Sequence, residues 1–323
     1  MIGVMKDRRY RILNLVAESY IESAHPVPSS FIAERLAVSS ATVRNEFSAL
    51  EQEGYLHQPH TSAGRIPTLR GFNTYALSFI PPRRLSGRKR KLVQERLAGN
   101  LGDALLQQIA RVTTELSGYA VLVNLPADES LRALEIHLTV LSSQRLLAVV
   151  VLENGLVRQL GVELDPIPND AIISDAERNL RQLTMPVSRI PKALLALARH
   201  AEEELARTLL AVAAAWSNVT PPRHFTEGLG NLLAEPESRD PDFMRSILEF
   251  AEGDETSTVA PEKEESLALI IEHAVARIIT RLELGSLHGF LVLLGPSRMR
   301  YPDAFMVARG VSEAVTGQRL AVN

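Results

Sequence analysis

The first part of the chain carries apolar residues at the spacing of short amphipathic helices. The first stripe predicts a helix over residues 8–21, which the prolines in residues 25–28 end. Its members lie three and four residues apart: Ile12, Leu15, Val16 and Tyr20. Ser29 or Ser30 can cap a second, short helix that ends by Val38. The pattern therefore predicts two helices with a proline-containing stop between them.

A third helix is predicted over residues 41–53, with Ser40 as its cap and Gly54 as its end. Its apolar stripe consists of Val43, Phe47 and Leu50. When that stripe points inward, Thr42 and Arg44 lie on the flanks of a small, polar outer face. That face carries Ala41, Asn45, Ser48 and Gln52. Small residues let a helix approach the major groove, where Asn pairs with adenine and Arg with guanine. A helix-turn-helix reader is indicated, with an ordinary solvated helix face as the alternative.

Two short extended pieces follow within residues 55–68, around a polar tip that contains Gly64, and they predict a β-hairpin. From Arg65 to Lys91 the chain holds eight Lys and Arg and no carboxylate. Contact with phosphate is the expected use of this stretch. For residues 88–91 alone, a solvated linker that adds only long-range attraction is the favoured alternative.

The middle of the chain alternates between the patterns of helix and strand. A connecting helix is predicted over residues 92–116. Strands are predicted over residues 119–125, 134–141, 146–152 and 156–164, with a tight Asn154-Gly155 turn joining the last two. Residues 171–216 are predicted to be helical again, and this interruption of a sheet domain is typical of an insertion. Its apolar stripe from Leu194 to Trp216 either seals a dimer or packs its own domain.

The remaining chain is predicted to hold a strand over residues 223–229, a helix over 243–250 and a mobile acidic loop over 252–265. The net charge of −3 is unevenly distributed. Residues 1–91 hold 14 Lys and Arg against 7 Asp and Glu, a net +7, and the rest of the chain is net −10. A basic N-terminal segment indicates a polyanion partner, and a chance imbalance of the surface is the alternative.

Four blocks of the sequence resemble the HrcA family of bacterial heat-inducible transcription repressors. They are SSATVRNE at residues 39–46, QPHTSAGRIPT at 58–68, NLLAEPE at 231–237 and LGPSRMRYP at 294–302. The second block is the most specific. Two departures stand out: Glu46 replaces the more usual Asp, and residues 252–284 have a helical pattern where the family tends to have strand.

The resemblance implies an α+β protein with an N-terminal winged helix-turn-helix, followed by a GAF-like α/β domain interrupted by a largely helical dimerisation domain. The expected domains are the winged helix (1–85), a basic linker and connecting helix (86–118), the GAF-like domain in two segments (119–165 and 256–323) and the inserted dimerisation domain (166–255).

The resemblance also implies a dimeric repressor of chaperone operons that binds an inverted-repeat operator, is released on heat stress and is modulated by the GroEL chaperonin. The residues expected to contact DNA are Ser40, Ala41, Thr42, Arg44, Asn45, Ser48, His60, Thr61, Ser62 and Arg65. The alternatives are a winged-helix regulator whose GAF-like body senses a small metabolite, and an enzyme with a nucleic-acid-binding head.

Catalytic, metal and cofactor sites are not expected. The sequence has no cysteine, no HExxH pair and no GxxxxGK[ST] loop, and His200 lies beside Glu202–Glu204 on a helix face that needs charge anyway. The longest clean apolar run, residues 209–216, is far too short to span a bilayer. The charged N-terminus has no signal-type apolar core, so a cytoplasmic protein is expected.

Overall fold

The computed structural model describes residues 7–60, 63–100, 102–125, 130–153, 157–216, 219, 223–252, 267–272, 274–284 and 287–316. It mixes helices with sheets, in agreement with the predicted α+β class. The helices are α1 (Asp7–Ser23), α2 (Ser29–Leu36), α3 (Ser40–Gln52), α4 (Leu69–Leu77), α5 (Gly87–Leu97), α6 (Gly102–Ser117), α7 (Asp170–Arg181), α8 (Ile190–Ala198), α9 (Glu203–Ala215), α10 (Leu229–Leu233), α11 (Pro241–Glu252) and α12 (Tyr301–Thr316). The strands are β1 (Leu56–His57), β2 (Ile66–Pro67), β3 (Ala120–Leu125), β4 (Ala133–Ser142), β5 (Arg145–Leu152), β6 (Val157–Glu163), β7 (Arg223–Glu227), β8 (Leu267–Glu272), β9 (Val275–Leu284) and β10 (Leu287–Pro296).

The chain divides into two compact units. Of the described residues, the first holds those within 7–124 and 224–316, and the second holds those within 125–223. Within the first unit we call residues 7–77 the head, and the described part of residues 87–124 and 224–316 the body.

The head contains α1 to α4 and the hairpin of β1 and β2, which pair antiparallel. The predicted helices and hairpin are present, and α4 is an addition to them. The apolar stripes of α1 and α3 meet in one core, in which Ile12, Val16, Val43 and Leu50 are fully buried. Each such side chain stabilises the head by about 1.5–3 kcal/mol relative to an exposed position. The inward face of α3 is therefore the predicted one.

The caps of α2 and α3 differ from the prediction. Ser39, not Ser40, caps α3: its Oγ accepts a hydrogen bond from the Thr42 backbone N at 3.0 Å. Pro28 precedes α2 and gives it no side-chain cap. The hydroxyls of Ser29 and Ser40 instead lie 2.9 Å apart and hydrogen-bond to each other. These two serines therefore join α2 to α3.

The body is built on a five-stranded sheet with the order β7-β3-β10-β9-β8. α11 covers one face, with Phe243 and Phe250 buried in the core, and α12 packs against β9. The predicted helix over residues 92–116 is two helices, α5 and α6. Gly99, with a φ of +76°, lies in the left-handed region immediately after α5, which ends the helix there.

The helical interpretation of residues 252–284 is wrong for the residues that the structure describes. Residues 267–272 and 275–284 are the strands β8 and β9, paired antiparallel. Nearly every residue of β9 is buried or half-buried, because the strand lies inside the sheet. The polar residues Arg277, Thr280 and Arg281 of this strand lie three and four residues apart, which is the spacing that marks one face of a helix in sequence. Most of the predicted acidic loop, and the Asn154-Gly155 turn, lie outside the described residues.

The second unit is a three-stranded antiparallel sheet of β4, β5 and β6, with α7 against β4 and α9 against β6. Leu194, Leu209, Val212 and Trp216 are all buried in its core. The Trp216 Nε1 donates a hydrogen bond to the Val187 carbonyl at 3.0 Å. Of the two uses predicted for this apolar stripe, packing of its own domain accounts for these residues.

The division into units differs from the predicted boundaries at 165/166 and 255/256. Strands β4 to β6 form their own sheet and share a core with α7 to α9, so they do not extend the sheet of the body. Conversely, β7, α10 and α11 lie with the body, where Leu232, Phe243 and Phe250 are in its core. Strand patterns identify strands but not the sheet that each one joins.

Candidate nucleic-acid interface

The outer face of α3 is exposed, as its sequence predicts. Ala41, Arg44, Asn45 and Ser48 are all exposed. Thr42 is half-buried, and its Oγ1 lies 2.8 Å from the Ser39 Oγ at the start of the helix. The helix thus presents small residues, one amide and one guanidinium to solvent, which suits close approach to base edges.

Arg44 is oriented by α2. Its Nε donates to the Ser29 Oγ at 3.4 Å, and Ser29 in turn is bonded to Ser40. The Ser48 Oγ donates to the Arg44 carbonyl at 3.1 Å, within the helix. Ser40, predicted to touch DNA, is half-buried in this contact between the two helices. Its side chain therefore contacts α2 and, through Ser29, helps to position Arg44 on the exposed face.

The carboxylates of α3 and its cap residue are paired with arginines. The Arg9 Nε donates to Glu46 at 3.0 Å, and the same guanidinium pairs with Glu53. The hydrogen bond with Glu46 is the main cause that raises the pKa of Arg9, so Arg9 stays charged. Glu51 pairs with Arg65 at 3.0 Å. Three negative charges that would repel a polyanion are thereby countered inside the head.

The hairpin is held against the start of α2. The backbone of Arg65 donates to, and accepts from, the backbone of Val27, both at 2.9 Å. A Cβ on Gly64 would lie 2.3 Å from the Val27 carbonyl, so the backbones approach too closely for any other residue. His60 is exposed at the tip, whereas Thr61 and Ser62 lie outside the described residues.

Arg65 has an internal role that its sequence position did not indicate. Its side chain is only 15% exposed, pairs with Glu51 and lies 6.0 Å from the centre of the Phe47 ring. A guanidinium in this position connects the hairpin to α3. The predicted phosphate contact by Arg65 would compete with this ion pair.

Arg65→Ala is expected to lower the free energy of unfolding by about 1.5–3 kcal/mol, the range for a hydrogen bond to a charged group. Urea denaturation measures this change. A matched Arg84→Ala protein, which loses an exposed arginine that forms no ion pair with another described residue, should keep wild-type stability. If Arg65→Ala kept full stability and instead lowered the slope of log affinity against log salt, Arg65 would be a phosphate contact after all.

The basic stretch after the head is ordered. Ser86 caps α5, so residues 88–91 form its first turns. Among the described residues, Arg84, Arg88 and Arg90 form no ion pair and are exposed, while Lys91 pairs with Glu95 at 3.7 Å. These charges remain available to a polyanion.

Sequence reasoning missed Arg9 and Ser29. The positive balance of residues 1–91 signals that arginines are in excess, but it does not tell which of them neutralise α3. Ser29 was expected to be a helix cap and instead contacts Arg44. Only the packing of α1 and α2 on α3 assigns these roles.

No group of His, Asp or Glu among the described residues is arranged to hold a metal ion. Within the same part of the chain, no helix combines the length and apolar character needed to cross a membrane.

Comparisons with known proteins agree with the sequence blocks. A family model described as the HrcA protein C terminal domain matches residues 103–305. The heat-inducible transcription repressor HrcA of Brevibacillus brevis is 30% identical, with 98% of this chain and 99% of the relative covered. The heat-inducible transcription repressor HrcA of Frankia casuarinae is 32% identical, with 97% of this chain and 98% of the relative covered. A crystal structure of a hypothetical protein shares the fold, with a TM-score of 0.63, 22% identity and coverage of 97% and 99%. On the matches to the family model and these relatives, the chain belongs to the HrcA family.

Proposed function

We propose that this protein is a transcriptional repressor of heat-shock operons that binds an inverted-repeat operator as a dimer. In this proposal the head is a winged helix-turn-helix: α3 lies in the major groove, and the hairpin and the basic turns of α5 lie along phosphates. The relatives are named as repressors, which is a non-enzymatic role. No catalytic function is proposed.

One observation carries the proposal: the exposed face of α3 holds Arg44, Asn45 and Ser48, and the helix's carboxylates are paired elsewhere. Ion pairs of this kind add little to the stability of an exposed helix. A helix that must approach phosphates gains more from them, because like charge at short range opposes binding. The pair with Arg9 would thus offset the negative charge of Glu46, which departs from the family pattern, when α3 lies on DNA.

Dimerisation is proposed to use the second unit. With the Leu194–Trp216 stripe buried, the outer face of its sheet is the better candidate. That face carries Leu147, Val149 and Val151, which are half-buried, and Val157, which is 54% exposed. A second copy would cover these apolar side chains.

The remaining parts of the proposal rest on family membership. The body is proposed to be GAF-like. The GroEL chaperonin is proposed to keep the repressor active until, under heat stress, unfolded protein occupies the chaperonin. Added chaperonin should then raise the fraction of protein that binds operator, and added unfolded protein should reverse the effect.

Selection of bound fragments from random DNA by the purified protein tests the proposal. Recovered fragments should share an inverted repeat, because two identical heads related by two-fold symmetry read the same half-site on opposite strands. Mixing the selected DNA with protein at rising salt should show a steep loss of affinity. Recovery of fragments without any common sequence would contradict the proposal, and a single unrepeated site would contradict its dimeric part.

A further inference from the structure

Two of the family-like sequence blocks, residues 231–237 and 294–302, meet in the body. The turn between β10 and α12 is held firmly there. The Arg300 backbone N donates to the Tyr119 Oη at 2.8 Å, and the Tyr301 Oη donates to the Ser297 carbonyl at 2.6 Å. A Cβ on Gly295 would lie 2.7 Å from the Tyr119 ring, so this turn packs directly on that ring. The Asn231 Nδ2 donates to the Gly118 carbonyl at 3.1 Å and anchors the second block beside it.

Arg298 joins the two blocks by a double ion pair. Its Nε donates to Glu237 at 2.6 Å and its Nη2 to the other oxygen of Glu237 at 3.0 Å, while Nη2 also pairs with Glu235. The side chain of Arg298 is 15% exposed and that of Glu237 is 21% exposed. A two-pronged pair of this kind fixes both distance and angle, unlike a single contact between flexible side chains. We call Arg298, Glu235 and Glu237 the Arg298 cluster.

The head lies beside this cluster. Tyr20, on α1, is half-buried; its pKa is raised by burial, then by the negative charge of Glu237, and lowered by Arg298. The rings of Tyr75, on α4, and Tyr301 are 6.3 Å apart and nearly perpendicular, and both are buried. Helix α4 also packs against β8. Helix α4 thus rests on the body next to the turn that Arg298 holds, and Tyr20 of α1 lies within range of the charges of the Arg298 cluster.

The chain between the head and α5 is also fastened to the body. Leu85 is buried against α12, where a Cβ on Gly310 would lie 2.3 Å from its side chain. The Arg309 Nη1 donates to the Pro82 carbonyl at 3.4 Å. Residues 78–86 are therefore not a free tether, and the head has a defined position on its body.

We propose that Arg298 is a positioning residue that fixes the head on the body and thereby sets the spacing of operator half-sites that the dimer accepts. This rests on the proposed function. Two heads keep a constant separation only if each is fixed on its own body. Arg298 lies far along the chain from α3 and acts through the turn whose Tyr301 contacts Tyr75 of α4. Loss of its ion pairs loosens this turn and lets the position of the head vary, without removing any residue from the DNA-binding face.

The experiment measures the affinity of wild type, Arg298→Gln and Arg300→Gln for one operator whose half-sites are moved apart by inserted base pairs. Arg300→Gln is the matched control: it removes an exposed arginine two residues away that has no ion pair among the described residues. An insertion of about five base pairs turns the half-sites to opposite faces of the DNA, since a helical turn is about 10.5 base pairs. Wild type and Arg300→Gln should lose about 100-fold in affinity, the lower end of the gain from two linked heads. Arg298→Gln should lose about tenfold or less from its own best value.

A single half-site gives the internal reference. All three proteins should bind it equally, because α3 is unchanged. Identical spacing profiles for wild type and Arg298→Gln would overturn the inference. A wild type that shows no preference for the inverted repeat would instead overturn the proposed function, so the two failures are distinct.

A second measurement does not depend on DNA binding. The chain has no cysteine, so spin labels can be placed on Glu34→Cys in α2 and Asp303→Cys in α12, both exposed. The distance distribution between them should be narrow in the otherwise wild-type protein and broader with Arg298→Gln. Glu237→Gln, which removes the two-pronged partner and keeps Glu235, should broaden it as well. Equal widths in all three would also overturn the inference.

Discussion

Asn45→Ala and Arg44→Ala proteins are expected to lose much of their preference for operator over random DNA. Both side chains are exposed on α3, and Arg44 is steadied by Ser29. Asn and Arg can each form two hydrogen bonds with one base, and such a contact contributes about 1–3 kcal/mol of discrimination. The loss should concentrate at one or two base positions in each half-site. Affinities for operator and random DNA over a salt series measure it.

The matched control for Asn45→Ala is Asn73→Ala, which removes an exposed amide from α4 in the same head. It should keep wild-type discrimination. If Asn45→Ala and Arg44→Ala both lost affinity equally for every sequence, they would be contacts to phosphate, which carries no base identity. Helix α3 would then not be the reader, and the docking proposed for the head would be abandoned.

Gly64→Ala is expected to destabilise the protein by about 1–3 kcal/mol, the usual cost of an overpacked site. The added methyl would lie 2.3 Å from backbone atoms of Val27, which cannot rotate away as a side chain can. The hairpin must shift, and with it the backbone pair between Arg65 and Val27. DNA affinity should fall together with stability, because the hairpin carries the exposed tip. Urea denaturation and operator titration measure the two effects.

Gly87→Ala is the control for this prediction. Gly87 begins α5, and a Cβ there would meet no atom within 4 Å. Alanine is the better helix former, so stability should be unchanged or slightly raised. Equal stability of Gly64→Ala and Gly87→Ala proteins would show that the hairpin tolerates displacement from Val27.

Much of the head was predictable because its elements are amphipathic and short. The burial of Val43, Phe47 and Leu50, and the exposure of Asn45, follow from a helical period that one apolar stripe determines. The hairpin followed from turn chemistry around a glycine. The caps were predicted less well, because Ser29 and Ser40 satisfy each other and not their own helices. The hydrogen-bond partner of a serine hydroxyl depends on which helix packs next to it, and the local sequence does not show this.

The body was harder to predict because the pattern of its inner strand β9 resembles that of a helix. In β9 the polar residues Arg277, Thr280 and Arg281 lie three and four residues apart, so periodicity favoured a helix over a strand. The strands of residues 133–163 were predicted, but their membership of a separate sheet was not. The hydrophobic pattern of a segment shows which of its faces is buried. The order of strands in a sheet depends instead on contacts between residues far apart in the chain.

By itself, the sequence determined the head's helices, the exposed polar face of α3, the basic character of residues 65–91 and the membership of the HrcA family. Tertiary structure alone decided which charges are paired. Arg9 and Arg65 pair with the carboxylates of α3 and its cap, and Arg298 pairs with Glu237 and Glu235, which lie 61 and 63 residues before it in the chain. The physical reason is that an ion pair depends on distances of 3–4 Å in space, and composition records only how many charges there are.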